Sequence, residues 1–494
     1  MTTQPRNTPQ QVPKPVHFRH ALLPILFLGS LVTYGLILRP HAMDLPAFPL
    51  EVVFLLSSAF AVLELTWLGF EWTEIQKSVV KKLSTALPAF FILFAIGVII
   101  SSWMISGTIP MLVYYGIEVI RPSLLYLCAF LVTAVFSLLT GTSWGSAGTV
   151  GVVVIGIAGA LDAHLGITAG AVIGGSYFGD KMSPLSDTTN LAALATDVDL
   201  FDHIRSMMVT TIPSATLAAA GFLLLGLLYP PASEGAALLE VAAFQESLRE
   251  MFRFNVLLLL PPLIVLGGSL RKKPTIPTLL TSVLAACGLA LAFQRFTLAD
   301  VLQSLNRGFS AEMAVWVEEV PRRTLELVNR GGLYSMSEAI FVAFLVFFFI
   351  GAIDVIDAMR TVVDRVFRRT TTRSSTILAA LGATALTNVM TSNQYATSFI
   401  VGDALKSRFD ALRIPRKVLS RSLEDTGTML ESLVPWHATA VFMVATLGVP
   451  WEHYWPWQLL SLINFVVAPT LAILGIGCFY HETDEAEAPL QNPK

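Results

Sequence analysis

Long apolar runs alternate with short polar segments along most of the chain. About 20 consecutive apolar residues are needed to cross the hydrocarbon core of a bilayer as a helix. The apolar runs are 21–38, 50–70, 84–106, 122–140, 147–173, 207–229, 253–270, 275–293, 335–357, 374–402, 427–447 and 457–480. Because Gly-rich runs can also fold as re-entrant hairpins, this pattern predicts roughly eleven to thirteen membrane segments.

Composition narrows the fold class to an all-α polytopic membrane protein. The chain has 494 residues, of which 54% are hydrophobic and only 14% are charged, whereas soluble domains carry about 25% charged residues. A transmembrane β-barrel would instead show alternation within short segments. The net charge of −3 gives no reason to expect nucleic acid as a partner. Three cysteines stand singly in apolar runs and are expected to be small buried residues: Cys128, Cys287 and Cys478.

Changes in polarity divide the chain into five segments. We expect a disordered cytoplasmic tail at 1–20, a first membrane half at 21–293 with its core repeat at about 84–229, an amphipathic linker at 294–333, a second membrane half at 334–480, and an acidic cytoplasmic tail at 481–494. No small-residue cleavage site follows the first apolar run, so no cleavable signal peptide is expected.

Four clusters of basic residues predict the orientation, because Lys and Arg are enriched in cytoplasmic loops. The clusters lie at 77–82, 271–273, 360–373 and 406–421. Placing all four in the cytoplasm also places both termini there. The acidic loop at 234–250 then lies outside.

The stretch from Gly174 to Asn190 stands between apolar runs and holds two carboxylates, Asp180 and Asp187. Ionisable side chains at membrane depth are costly and are usually retained for function. The glycines and Pro184 of this stretch indicate a broken helix, whose freed carbonyl groups can serve as ligands. The stretch therefore predicts an ion site.

The second half contains a similar pair of features, which predicts an internal repeat. A polar break at 139–146 precedes the Asp180 block, and a break at 386–394 precedes an acidic block at 424–428. We pair Asp180 with Asp425 and Ser183 with Thr428. The charge pattern predicts inverted-topology repeats with discontinuous helices that cross near the bilayer midplane. Small residues alone would also suit close helix packing, but the carboxylates favour an ion site.

The chemistry of these blocks suits Na⁺, a hard cation that prefers oxygen ligands. Asp180, Asp187 and Asp425 are the predicted ion-binding and proton-carrying residues and the predicted Na⁺ ligands. A carboxylate in a low-dielectric site can hold a proton or a metal cation in turn, which is sufficient for antiport. The predicted auxiliary ligands are Ser183, Asn190, Thr428, Asn388 and Asn393.

Other polar side chains receive structural roles. Lys181 is expected to face away from the site and reach the membrane interface, although it could neutralise a carboxylate. His437 is expected to be a hydrogen-bonded packing residue rather than a proton relay. Glu64 is expected at the membrane interface, and the acidic run 197–202 is expected to cap a helix.

Several motifs together resemble the NhaC family of Na⁺/H⁺ antiporters, from about Trp67 to the last helix. They are Trp103 with 106–110, 114–116, 141–145 with 148–149, 179–190, 330–332, and 424–427 followed by Pro435 and Trp436. The resemblance implies exchange of Na⁺ for H⁺ across a bacterial inner membrane by a multi-pass protein. Some relatives of this family exchange organic acids together with Na⁺ and protons, or carry amino acids.

One position departs from the family pattern. The resemblance implies an acidic residue before Gln-Tyr, whereas this chain has Asn393 before Gln394 and Tyr395. If that acid carries a proton or binds the ion, this chain has one titratable group fewer. The alternative is that the position is a helix cap, where Asn and Asp are interchangeable.

The leading hypothesis is a secondary active Na⁺/H⁺ antiporter that carries Na⁺ or Li⁺ and H⁺, needs no cofactor and is not an enzyme. The alternative is a Na⁺-coupled transporter or exchanger of a small organic acid or amino acid, since helix N-termini at the Gly-rich breaks can hold a carboxylate. A channel or scaffold fits the buried charges poorly. The lipid bilayer is the expected surrounding, and a homodimer is left open.

Overall fold

The computed structural model describes residues 15–231, 236–367 and 370–480, and all regular elements in these ranges are helical. The first eleven α-helices are α1 (Phe18–Val32), α2 (Arg39–Ala42), α3 (Leu50–Leu68), α4 (Trp72–Ile105), α5 (Thr108–Val119), α6 (Leu125–Thr140), α7 (Ser143–Ser146), α8 (Val152–Ala160), α9 (Leu165–Met182), α10 (Asp187–Ala195) and α11 (Leu200–Leu228).

The remaining helices complete this all-helical fold. They are α12 (Ala236–Met251), α13 (Leu260–Leu270), α14 (Thr275–Phe293), α15 (Leu298–Arg307), α16 (Arg322–Val328), α17 (Ser337–Ile353), α18 (Ala358–Phe367), α19 (Arg373–Thr391), α20 (Gln394–Ala411), α21 (Arg416–Leu430), α22 (Ala438–Leu447), α23 (Trp451–Tyr454) and α24 (Leu459–Leu474). Two π-helical turns, Thr33–Leu38 and Ala147–Gly151, and short 3-10 turns join several of them.

The helices confirm a multi-pass membrane protein. Within the described ranges, eight helical segments are long and apolar enough to cross a membrane, and ten if each of two bent pairs is one span. This is fewer than the apolar runs predict, because several runs contain a break. The run at 374–402, for example, is two helices, α19 and α20, that meet at Ser392.

The helices pack into two compact units. One contains the described residues up to Leu87 together with Phe341–Val366, and the other contains Pro88–Ile340 together with the described residues from Phe367 onward. In the first unit Glu64 Oε1 lies 3.3 Å from Nδ1 of His20, and the two side chains are each 9% exposed. The position of Glu64 at the membrane interface stays a prediction. All the predicted ion-site residues lie in the second unit.

A helical pattern repeats in the second unit with a constant spacing of 251 residues. Left-handed residues recur at this spacing, with φ +69° at Gly141 and +48° at Ser392. The other left-handed pairs are Asp162 with Arg413 and Asp197 with Gly448. The residues that precede helices recur in the same way, as Thr142 with Asn393, His164 with Pro415, Ser186 with His437, and Asp199 with Pro450.

The hydrogen bonds at the first break of each repeat also match. The Thr140 hydroxyl lies 3.2 Å from that of Ser146, and the Thr391 hydroxyl lies 3.0 Å from that of Thr397. Because no residue is gained or lost between these positions, α6 to α10 correspond to α19 to α22 without a gap. The direction of the two repeats relative to the membrane stays a prediction.

This spacing corrects the pairing expected from the sequence. Asp180 corresponds to Glu431 and not to Asp425, and Ser183 corresponds to Val434 and not to Thr428. The breaks fix the alignment, since Asp180 stands six residues before the capping residue of α10 and Glu431 stands six residues before that of α22. The sequence pairing matched acidic blocks by composition and was wrong by six positions.

The predicted linker contains two separate helices, α15 and α16. Helix α15 begins with a capping box in which Thr297 and Asp300 exchange side-chain and backbone hydrogen bonds. It buries Val301 and Ser304, whereas Leu298 and Leu302 on its other faces are exposed. Residues 1–14 and 481–494 of the two predicted tails lie outside the described residues, and α1 already begins at Phe18.

Candidate functional site

The first break holds the carboxylate of Asp180 against a backbone amide. Helix α6 ends at left-handed Gly141, and the Thr142 hydroxyl then accepts a hydrogen bond from the Gly145 amide. The amide of Ser143, which directly follows Thr142, donates to Asp180 Oδ2 over 3.1 Å. Asp180 is only 5% exposed, which confirms that this carboxyl lies inside the protein.

Close packing of two helices brings Asp180 to this position. A Cβ atom on Gly179 would lie 2.4 Å from the Ala134 carbonyl oxygen, so only glycine lets α9 approach α6 this closely. The hydroxyl of Ser137 on α6 donates to the Ser176 carbonyl over 2.6 Å. The Gly-rich sequence of α9 is therefore explained by its contact with α6.

The remainder of the Asp180 block forms a turn rather than an ion cage. Asp187 is exposed in the first turn of α10, although its charge is within electrostatic range of Asp180. Asn190 is exposed and donates to the carbonyls of Pro184 and Ser186. The buried Ser183 hydroxyl accepts from the Leu185 amide. The side-chain hydrogen bonds of Asn190 and Ser183 thus go to backbone groups of this turn, and Asp187 is exposed at the start of α10.

Asp425 is buried and already neutralised. Lys181 Nζ donates to Asp425 Oδ1 over 3.0 Å, and the two side chains are 0% and 1% exposed. Thr210 donates to the same oxygen over 2.8 Å, and Arg421 Nε lies 3.7 Å from Oδ2. Lys181 therefore faces inward, contrary to the expectation that it reaches the interface, because a buried carboxylate requires a nearby countercharge.

Asn393 is a helix cap at the break between α19 and α20, which is equivalent to the break between α6 and α7. Its side chain accepts from the Ala396 amide over 2.9 Å, as Thr142 does from Gly145 at the equivalent position. This contact agrees with the capping interpretation of the position where the family resemblance implies an acid.

Asn388 and His437 belong to one directed chain of hydrogen bonds. His437 Nδ1 accepts from the Thr439 amide, so the neutral ring carries its proton on Nε2, which lies 2.8 Å from Asn388 Oδ1. Asn388 Nδ2 then donates to Gln394 Oε1 over 3.0 Å. A protonated ring would place two donors against each other at Nδ1. His437 is therefore held neutral as a packing residue, as expected from the sequence.

Sequence reasoning missed two buried acids, Glu424 and Glu431. Glu424 is 0% exposed, and its Oε2 accepts from the hydroxyl of Thr428, a predicted auxiliary ligand. Glu431 is 8% exposed and accepts from the Thr439 hydroxyl over 2.7 Å. Proline spacing could have identified Glu431, because it stands four residues before Pro435 as Asp180 stands four before Pro184.

Asp180, Glu424 and Glu431 form what we call the acid cluster. Each of the three carboxyls lies within electrostatic range of the other two. Lys181 is also within range of Glu424, but its ammonium group is hydrogen-bonded to Asp425. Like charges that interact in a low-dielectric interior oppose one another's ionisation. The acid cluster can therefore take up protons or metal cations.

The acid cluster is not a preformed metal cage. Among the described residues, no group of three or more His, Cys, Asp or Glu side chains is placed to hold one metal ion. A cation at the cluster would therefore contact one or two carboxyls, with hydroxyl, amide or carbonyl oxygens completing its shell. Hard monovalent and divalent cations accept such mixed oxygen ligands.

Asp199 has the capping role expected of the acidic run, whereas only one of the three cysteines is fully buried as expected. Asp199 caps α11 by accepting from the amides of Phe201 and Asp202. The three cysteines are free, with Cys478 buried and the other two half-buried.

Removing the cap at Asn393 is expected to destabilise the start of α20. Asn393→Ala should lower the free energy of unfolding by about 1 kcal/mol, whereas Asn393→Asp should change it by only a few tenths of a kcal/mol, because both Asn and Asp cap helices well. Denaturant titration of the purified protein in detergent measures both values. A parental stability in Asn393→Ala would contradict the capping role.

Comparison with known proteins gives consistent matches. Residues 175–476 match the sequence profile of the Na⁺/H⁺ antiporter family. An uncharacterized Na⁺/H⁺ antiporter of Haemophilus influenzae is 38% identical over 457 residues, which cover 92% of this chain and 96% of that protein. The Na⁺/H⁺ antiporter NhaC of Alkalihalophilus pseudofirmus is 34% identical, covering 87% and 91%. A malate-2H⁺/Na⁺-lactate antiporter of Bacillus subtilis is 30% identical, covering 89% and 92%.

Proposed function

Because this chain belongs to the Na⁺/H⁺ antiporter family, we propose that it exchanges Na⁺ for H⁺ through competition of the two cations for the acid cluster. Li⁺ is the expected substitute for Na⁺. The proposed location is the inner membrane of a bacterium.

The excess of buried acids over available bases carries this proposal. Asp180, Glu424 and Glu431 are buried within electrostatic range of one another, and Lys181, whose charge reaches Glu424, is bonded to Asp425. Burying an isolated carboxylate is so costly that the group instead takes up a proton or a cation. Occupation by Na⁺ would therefore displace a proton, and the reverse, which couples the two fluxes.

The proposed roles differ from those expected from the sequence for two of the three aspartates. Asp180 keeps its role as a cation-binding and proton-carrying group. Asp425 would hold Lys181 in place rather than bind Na⁺, and Asp187 would lie outside the site. Thr428 and Asn388 remain the best-placed auxiliary groups, since Thr428 donates to Glu424 and the Asn388 side chain lies within hydrogen-bonding reach of Glu431.

The repeat supports an alternating-access cycle. Asp180 and Glu431 occupy equivalent positions, each six residues before the residue that caps the last helix of its repeat. Transporters built from inverted repeats bind their ions between such discontinuous helices and expose the site to each side in turn. We propose that the two repeats rock against each other around the acid cluster.

The experiment is cation-driven proton movement in lipid vesicles that contain the purified protein and a pH-sensitive dye in the lumen. A pulse of external Na⁺ or Li⁺ should make the lumen more alkaline, because protons leave as the metal enters. An equal pulse of choline is the control. The proposal is wrong if neither Na⁺ nor Li⁺ changes lumenal pH in vesicles that respond to a Na⁺/H⁺ ionophore.

Exchange of small carboxylates is the second candidate, favoured by the similarity to the malate-2H⁺/Na⁺-lactate antiporter. The same vesicles distinguish it when they are loaded with lactate and supplied with labelled malate. Uptake of malate that requires internal lactate would support this candidate. Proton movement driven by Na⁺ without any organic acid would support exchange of Na⁺ for H⁺ alone.

A further inference from the structure

Helices α10 and α20 both begin beside the acid cluster. The Thr189 hydroxyl, in the first turn of α10, donates to the carbonyl of Asp180 over 3.3 Å. Gln394 is the first residue of α20, and its Nε2 donates over 2.9 Å to the carbonyl of Leu423, the residue before Glu424. Both helices therefore lead away from the cluster.

The two helices end at one polar surface of the protein. Arg416 lies 2.9 Å from Asp197 Oδ2 and 2.7 Å from Asp410 Oδ2, and these two carboxylates are 60% and 47% exposed. Asp197 is two residues beyond α10, and Asp410 is in the last turn of α20. Since α10 has nine residues, about 13 Å separates this surface from Asp187. This distance is nearly half of the hydrocarbon thickness of about 30 Å.

One stripe of exposed residues follows each helix over this distance. The residues of a stripe are three or four positions apart, which places them on one face of their helix. They are Asp187, Asn190 and Leu194 on α10, and Tyr395, Phe399 and Asp403 on α20. We call these six residues the exposed stripes. Ionisable side chains at membrane depth face protein or a water-filled cavity rather than lipid. Asp187 therefore indicates that water reaches the inner end of the stripes.

Tyr395 connects the exposed stripes with the acid cluster. Its side chain is 43% exposed. It nevertheless lies within electrostatic range of Asp180, Glu424 and Glu431, and also of Asp187. Asp187 is itself within electrostatic range of Asp180. The inner end of the stripes thus faces both the surroundings and the buried carboxyls.

The repeat-equivalent positions are covered. At the spacing of 251 residues, the equivalents of the exposed stripes are Ala438, Val441, Ala445, Trp144, Gly148 and Val152. None of these six residues is exposed, and none carries a charged or amide side chain. The equivalent of Tyr395 is Trp144, which stacks on Phe442 with ring centroids 4.3 Å apart and planes 10° from parallel. The equivalent of Phe442 is Leu191.

The aromatic stack lies directly beside the acid cluster. Trp144 follows the residue whose amide binds Asp180. Phe442 stands three residues beyond the one whose hydroxyl binds Glu431, and it is 0% exposed. Apolar constrictions of this kind stop ions by excluding water. The two repeats therefore differ, because one side of the cluster is exposed and the equivalent side is closed.

We infer that the exposed stripes are the open entrance to the acid cluster, and that the Trp144–Phe442 stack is the closed gate of the entrance on the opposite side. This inference rests on the proposed function. The exposed carboxylate of Asp187 attracts cations to the open entrance. In the alternate state the repeats exchange their arrangements, so the stack separates and Tyr395 packs against Leu191.

Thiol labelling in sealed vesicles tests the entrance. The starting chain carries Ala in place of its three cysteines, and Asp187→Cys and Ala438→Cys are compared at their equivalent positions. Asp410→Cys marks the surface at which the stripes end. A membrane-impermeant maleimide should label Asp187→Cys in the same fraction of molecules as Asp410→Cys and should label Ala438→Cys much more slowly. Equal labelling of Asp187→Cys and Ala438→Cys overturns the inference. Absence of labelling at Asp187→Cys, as expected if lipid or a second copy of the chain covers the stripes, also overturns it.

Trp144→Ala tests the gate. It should speed the labelling of Ala438→Cys about tenfold, since loss of an aromatic pair shifts a population by up to roughly this factor. Trp144→Leu removes the stack but keeps an apolar side chain, so it serves if Trp144→Ala does not fold. The matched control is Phe60→Ala, which removes an equally close stack with Phe27, 4.2 Å between centroids, from the first unit.

Two results would overturn the gate. One is labelling of Ala438→Cys that stays unchanged in both Trp144 variants, and the other is an equal rise in Phe60→Ala. Faster labelling in the Trp144 variants alone supports the inference. If the labelling differs as expected but the parent does not exchange Na⁺ for H⁺, the proposed function is overturned and the gate is not.

Discussion

Asp180→Asn is expected to abolish measurable Na⁺/H⁺ exchange by lowering the affinity for Na⁺ about 1000-fold. The buried carboxylate of Asp180 would lose its negative charge while the amide of Ser143 kept a partner oxygen. At an effective dielectric constant of about 20, a unit charge 4 Å from a cation contributes about 4 kcal/mol, which corresponds to roughly 1000-fold in affinity. Dye-loaded vesicles with a titration of external Na⁺ measure the change.

Asp187→Asn is the matched control, since it makes the same chemical change seven residues away at an exposed position. In water, a charge at the same distance contributes only about 1 kcal/mol. We therefore expect less than about a fivefold change in Na⁺ affinity for this variant. Equal effects of the two substitutions would contradict the separation of Asp187 from the site.

Lys181→Met is expected to lower the free energy of unfolding by about 3–5 kcal/mol, because it leaves Asp425 buried without its main countercharge. The two side chains are almost fully buried, so solvent cannot replace the lost interaction. The double variant Lys181→Met with Asp425→Asn should recover part of this loss, since it removes the uncompensated carboxylate and keeps an oxygen for Thr210, although it also takes the acidic neighbour from buried Arg421. Denaturant titration in detergent gives the three values.

Lys406→Met provides the comparison for a surface lysine. Lys406 Nζ lies 3.2 Å from Asp197 Oδ2, and that carboxylate is 60% exposed. Exposed ion pairs contribute about 0–1 kcal/mol. If Lys181→Met destabilised the protein no more than Lys406→Met, or if the Asp425→Asn substitution brought no recovery, the buried pair would not have the structural role assigned to it.

The membrane fold and the buried position of Asp180 could be predicted from the sequence, because both follow from local signals. Apolar length identifies spanning helices, and Gly and Pro beside a carboxylate indicate a broken helix. The pairing of the repeats could not be obtained from acidic composition, since Glu424 and Asp425 have no acidic equivalents in the first repeat. A better signal was present in Thr133-Ala134 with Thr140 and Thr384-Ala385 with Thr391, which share one spacing.

The direction of side chains was harder to predict than the helices that carry them. Lys181 and Asp425 are 244 residues apart, and nothing near either residue shows that they meet. Asp187 carries the same chemical group as Asp180 but begins a new helix after the turn, which turns it outward. Tertiary contacts between helices decide both cases, so single-sequence patterns do not contain them.

Proton release on Na⁺ binding tests the competition at the acid cluster most directly. Purified protein in detergent and weak buffer would receive Na⁺ while a pH indicator follows the solution, with choline as the control. Competition requires that Na⁺ binding release protons. It also requires that, in the acidic range, the apparent Na⁺ affinity fall about tenfold for each unit by which the pH is lowered when one proton is displaced. Binding of Na⁺ with an affinity independent of pH and without proton release would contradict the competition.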